Sequence, residues 1–219
     1  MKNIKKLTLI LSILSFFTIF APANADIKVV TSIKPIHSLA SYLMDGIGKP
    51  DLIVDGYASP HGFAMKPSHA KMLQNADLIF WVGEDLESFL EKPLNSIAKK
   101  AEKIELMDIK GLNKLEFRER NIFEKHDDHG HDEHKEQGHK EEKHDDHQGH
   151  AHGEHDPHIW LDPMNAKVIL NEMVEHLIEN DSKNASKYKN NLKKALKDID
   201  KLNSDVKAEL SKSTASIVF

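Results

Sequence analysis

No cysteine occurs anywhere in the 219 residues. That excludes disulfides, thiolate zinc sites and cysteine nucleophiles, and it leaves nothing to carry a lipid after an export signal. Long apolar runs are scarce too. The one at the N-terminus, Leu7 to Phe20, has 14 residues, short of the roughly 20 that a spanning helix needs. Lys2, Lys5 and Lys6 precede it and Ala23-Asn24-Ala25 follows it, the layout of a cleavable export signal. Residues 1–25 are therefore expected to be a signal peptide, with the mature chain starting at Asp26 in a bacterial periplasm, not acylated. The alternative is an uncleaved membrane anchor. A basic patch is missing as well: formal net charge is -5, which speaks against a nucleic-acid partner. No histidine is followed directly by glutamate, so there is no HExxH pattern, and no residue pair reads as an enzyme site.

What the chain has in excess is histidine. Of 15 histidines, ten fall between His126 and His155, together with ten Asp/Glu and three Lys. That segment carries about -7 with histidine neutral, and Ala151 is its only aliphatic side chain. It cannot bury enough apolar surface to offset the entropy of ordering. A disordered loop over about 118–156 is expected, acting as a flexible polydentate metal sponge; a solvated charged tether is the alternative.

On both sides of that loop the pattern is globular. Ile27–Ile33, Leu52–Val54, Asp77–Gly83 and Ile104–Met107 read as strands, and helical spacing lies between them. Pro93 is expected to end or kink the helix that follows the third strand. Strands alternating with helices imply a parallel α/β sheet. After the loop, Asp162 is an N-cap candidate with Pro163 at the first helical position. A longer helix is expected from about Asp181 to Ser211, with Tyr188, Leu192, Leu196, Ile199, Leu202, Val206 and Leu210 on one stripe. At about 30 residues it would span about 45 Å, enough for a strut between two lobes. Ser216–Phe219 then opens a strand-like run, which suggests the start of a second lobe that the chain mostly lacks. The division expected is thus 26–180 for an N-terminal α/β lobe, 181–212 for a linker helix and 213–219 for the truncated second lobe.

Two histidines outside the loop stand apart. His61 follows the second strand in a loop of Gly, Pro and Ser, where parallel sheets place functional side chains. His158, in DPHIWLDP, sits on an apolar turn that leads into a capped helix. Two held imidazoles beside a His-rich loop point to Zn²⁺, with Cu²⁺ and Ni²⁺ as competitors. Such ligands must be deprotonated, so affinity is expected to fall as pH drops through about 6.5. His37, His69 and His176 read as structural or exposed.

TSIKPIHSLASYL, then YASPHGFAMKPSHAKMLQNADLIFWVGEDLESFLEKP, then the His-rich insertion and DPHIWLDPMNAKVI, resemble zinc-specific periplasmic solute-binding proteins of ABC transporters. These are the zinc-uptake members of a metal-binding cluster that also holds manganese binders. The resemblance implies two α/β lobes joined by a long rigid helix, a monomer, with the metal in the cleft and an ABC permease as recipient. It maps two ligands here, His61 and His158. The family's third histidine follows a strand opening the second lobe, in a phrase like VFHD, and this chain ends at Val218-Phe219. Some members use an acidic residue just before the first histidine; here that position is Pro60. A rival reading is a His-rich zinc buffer that works without a transporter.

Overall fold

The computed structural model describes residues 26–116 and 154–212. The expectations for the signal segment, for nearly all of the His-rich loop and for the terminal strand lie outside those residues.

Four short strands, β1 (Val29–Thr31), β2 (Asp51–Leu52), β3 (Leu78–Trp81) and β4 (Glu102–Glu105), form one sheet in the order β2-β1-β3-β4. All three pairings are parallel. The central strands β1 (VVT) and β3 (LIFW) are buried along their whole length, as expected of a sheet covered on both faces. The second strand is shorter than its apolar run, although Ile53 and Val54 still donate to Thr31 O and Ser32 O. The fourth begins two residues earlier than expected. Its register is set by pairing Leu78 with Glu102 and Trp81 with Glu105, and Leu106 and Met107 turn away in a 3-10 turn. As an edge strand, it carries the polar sequence EKIE.

The connections are helices: α1 (Lys34–Leu43), α2 (Pro67–Asn75) and α3 (Glu84–Ser96). In α1, Ile36, Ala40 and Leu43 form the buried face, and the chain leaves it through Gly46 at φ 70°, a left-handed conformation that glycine adopts without cost. Pro93 does not end α3. The helix runs to Ser96, and its irregular residue is Glu87 (φ -125°, ψ 46°).

Beyond the described gap come α4 (Pro163–Asn180) and α5 (Ala185–Ser211). Asp162 caps α4, its Oδ1 accepting from Met164 N at 2.7 Å, and Pro163 takes the first helical position. Ala166, Ile169, Leu170, Met173, Val174 and Leu177 are buried, a stripe at alternating steps of three and one that packs one side of the sheet. The turn between the helices is closed by Asp181, whose Oδ2 accepts from Tyr188 Oη (2.9 Å) and Asn184 Nδ2 (2.8 Å). Helix α5 is anchored at its start. Tyr188, Asn191 and Ala195 are buried, and Asn191 Nδ2 donates to Leu43 O and Asp45 O at the end of α1. Further along, Leu202, Val206 and Leu210 are exposed.

Candidate metal centre

His61 and His158 come from segments nearly a hundred positions apart, and the fold brings them together with ring centroids 5.6 Å apart. Two imidazoles that share one tetrahedral zinc through bonds of about 2.0–2.1 Å bring their centroids to about 5.2 Å. The observed spacing fits joint ligation with little movement.

His61 occupies the middle of a 3-10 turn, Pro60–Gly62, in the connection between β2 and α2. Ser59 Oγ accepts from His61 N at 3.3 Å. Two positions on, Phe63 packs between the rings of His69 (5.3 Å) and Phe89 (5.2 Å), so the His61 turn is tied to α2 and α3. His69 itself is buried, and its Nδ1 accepts from Lys66 N at 3.1 Å. Burial, with a smaller contribution from Lys66, pushes its imidazole below the usual histidine range, so it stays neutral and serves as a cap. His37 is likewise engaged, with Nε2 3.1 Å from Pro50 O.

His158 is held more tightly. Asp156 Oδ1 accepts from both His158 N (2.9 Å) and His158 Nδ1 (2.6 Å). A carboxylate can only accept, so Nδ1 carries the proton and Nε2 is left with the lone pair a metal needs. Burial raises the Asp156 carboxyl, but the backbone and imidazole hydrogen bonds from His158 outweigh it and hold the group below the ordinary aspartate range. Trp160 packs on the same ring at 5.2 Å. The turn beneath, Ile159–Leu161, is pinned by the buried Asn165 of α4. Its Nδ2 donates to Ile159 O (3.1 Å) and Asn113 O (2.9 Å), and its Oδ1 accepts from Asn113 N (2.8 Å). Just upstream, Glu116 and His155 form an antiparallel bridge, and Asp156 N donates to Leu115 O at 2.7 Å. The His-rich insertion therefore leaves and re-enters the fold through one clasp beside His158.

Sequence pattern singles out His61 and His158, which the fold brings side by side, but not Asp156 or Asn165. The Asp156 signal was present in Asp-Pro-His, since an aspartate two residues before a backbone N–H forms an Asx-turn. Asn165 gave no signal, because its partners lie across the insertion. Both imidazoles stand at the carboxyl ends of the strands, where the order β2-β1-β3-β4 reverses direction between β1 and β3 and where open parallel sheets bind ligands. Among the described residues no third His, Asp or Glu donor groups with the pair.

The fold is thus a parallel α/β lobe that brings two imidazoles together. The family described as "Zinc-uptake complex component A periplasmic" matches residues 29–219, and the chain belongs to it. Similar proteins include the high-affinity zinc uptake system protein ZnuA of Brucella abortus strain 2308, 44% identical over 100% of this chain and 69% of that protein. The protein of the same name from Paracoccus denitrificans is 38% identical over 87% of this chain and 59% of its own length. Among solved structures, the fold is like that of a Mn-bound periplasmic metal binding protein from candidatus liberibacter asiaticus. That match has TM-score 0.63 and 22% identity, over 84% of this chain and 57% of that one. The metal-dependent lipoprotein YcdH from Bacillus subtilis gives TM-score 0.62 at 20% identity, over 86% and 57%. The chain thus spans well short of the full length of the proteins it matches. Members of this family are periplasmic transport components, not enzymes, and no helix among the described residues is long and apolar enough to cross a membrane.

Proposed function

We propose that the protein captures Zn²⁺ in the periplasm through His61 and His158 and delivers it to an ABC-type permease. The observation that carries the reading is the Asp156–His158 pair beside His61. A carboxylate that fixes the tautomer and raises the basicity of a ligating imidazole is the usual support of a zinc histidine. Imidazole donors with no thiolate suit zinc, and they suit it better than they suit manganese, which favours oxygen ligands. The high-affinity zinc uptake name of the 44%-identical Brucella relative supports the same cargo. In this reading residues 1–25 direct export and are removed, α5 is the strut toward a second lobe, and the insertion gathers zinc near the clasp.

The test is growth under zinc limitation. Cells lacking the gene are complemented with the natural chain, with the His61→Ala, His158→Ala double variant, or with residues 126–153 deleted. The expected result is that the double variant fails on chelator-treated medium and recovers with added zinc. Full complementation by the double variant, with failure of the deletion, would establish the zinc-buffer reading instead.

A further inference from the structure

A second group of metal-type donors lies at the opposite end of the sheet. Glu102 is the first residue of β4, and His176 and Glu179 stand near the end of α4. Helix α4 starts beside His158, so by helix rise His176 is about 20 Å along it, away from the first pair. His176 Nδ1 is 2.7 Å from Glu102 Oε1 and 3.8 Å from Glu179 Oε2. One donor atom from each of the three residues lies within 4.8 Å of the others. Two donors on one tetrahedral zinc are about 3.3 Å apart, and the observed distances bracket that value.

Three further observations favour a ligand over a set of ion pairs. First, His176 Nδ1 is buried and, despite the short approach to Glu102, has no partner in hydrogen-bonding geometry. The two atoms lie side by side, as donors facing a common point do. Second, the carboxylate and the ring are both held from outside. Asn180 Nδ2 donates to Glu102 Oε2 at 2.6 Å, leaving Oε1 for the centre, and Glu172 Oε1 stands 3.4 Å from His176 Nε2. Partners of this kind orient metal ligands. Third, a groove of about 860 Å³ leads along β4 to His176 past Glu84, Glu91, Glu105 and Asp108, against Lys103 and Lys110, and an excess of carboxylates attracts cations. The spacing His176-x-x-Glu179 places both side chains on one helical face.

We propose that Glu102, His176 and Glu179 form a second, independent site for a divalent cation of zinc's borderline character, with solvent completing the shell. Two carboxylates and one imidazole make it weaker and less selective than a site built on imidazoles. It does not depend on the first site, because no residue is shared.

The test follows each imidazole separately by ¹⁵N-edited spectra of the full chain titrated with ZnCl₂ at pH 7.5. The His176 signals are identified by their loss in His176→Asn. The expected result is a zinc-dependent shift of His176 that is at least tenfold weaker in Glu102→Gln and in Glu179→Gln, with the His158 response unchanged in both. Glu179 is exposed, so its variant keeps the fold if Glu102→Gln does not. A His176 signal unmoved by millimolar zinc, or one moved equally in all three proteins, would overturn the proposal and leave a cluster of ion pairs only.

Discussion

Asp156 does more at the centre than either imidazole could do alone. It fixes the tautomer of His158 and turns the ring, and in the proposed site it supplies negative charge beside the cation. Replacing it with alanine frees the ring while leaving both imidazoles in place. Zinc affinity of the cleft site is expected to fall about 10- to 100-fold, measured by chelator competition, with the melting temperature little changed. An unchanged affinity would mean that the imidazole needs no second group to orient it. Glu87 makes a different kind of contribution. It is buried, its Oε2 accepts from Val82 N (2.8 Å) and Gly83 N (3.5 Å), and the Ser32 hydroxyl faces it. Burial pushes the group from 4.5 up to about 7, eased by hydrogen bonds from Ser32 and from the Val82 and Gly83 N–H groups and reinforced slightly by Glu105. The folded state then holds its proton longer than the unfolded chain. Its contribution is intact below about pH 4.5 and is lost as pH rises through 7, a difference on the order of 3 kcal/mol. Glu87→Gln is expected to remove that fall. Urea unfolding at pH 5 and pH 8 should show the natural chain losing ground to the variant at the higher pH. Equal pH dependence in the two proteins would contradict it.

At the scale of elements, one asparagine joins three segments. Asn165 couples α4 to the Ile159–Leu161 turn and to the backbone of Asn113. Its loss leaves buried backbone groups unpaired, which costs about 1–3 kcal/mol per group. Asn165→Ala is expected to lower the melting temperature and to blur the His158 environment. Circular dichroism with Trp160 fluorescence would show both, and a stable variant with an unchanged Trp160 signal would sink this role. The elements themselves were largely legible. Asp77–Gly83 is apolar enough to read as a buried strand, and Asp162-Pro163 announces the start of α4. What failed were edges. The polar β4 has no apolar run to mark its start, because an edge strand is defined by its partner. At Pro93 the local rule was overruled. The helix continues past the proline and takes up its irregularity at Glu87, where the carboxylate captures the Val82 and Gly83 N–H groups. Gly83, at φ 152°, is the hinge of that turn, and a Cβ there would lie 2.7 Å from Glu105 Oε1.

For the whole molecule, the site is a product of topology more than of local motif. His61 and His158 are each marked in sequence by their setting, a Gly/Pro/Ser loop and an apolar turn, but nothing local marks them as a pair. Neither distance nor orientation could be read until the sheet order placed both connections at one end. The same holds for His176, which periodicity assigns to an ordinary helix face and the fold sets against Glu102. The exposed Leu202, Val206 and Leu210 continue the stripe that Tyr188 and Ala195 begin. With no third donor beside it among the described residues, the His61–His158 pair is expected to hold zinc weakly but as one discrete step, distinct from the graded binding expected of the insertion's many histidines. This expectation is tested most directly by titrating zinc into the full chain against a competing chelator, comparing the natural protein with His61→Ala, His158→Ala and His37→Ala. The expected result is that this first discrete step weakens at least tenfold in the His61 and His158 variants and stays in place in His37→Ala, while the graded steps of the insertion persist in all four. A first step that survives both cleft variants, or that weakens equally in all three, would contradict it.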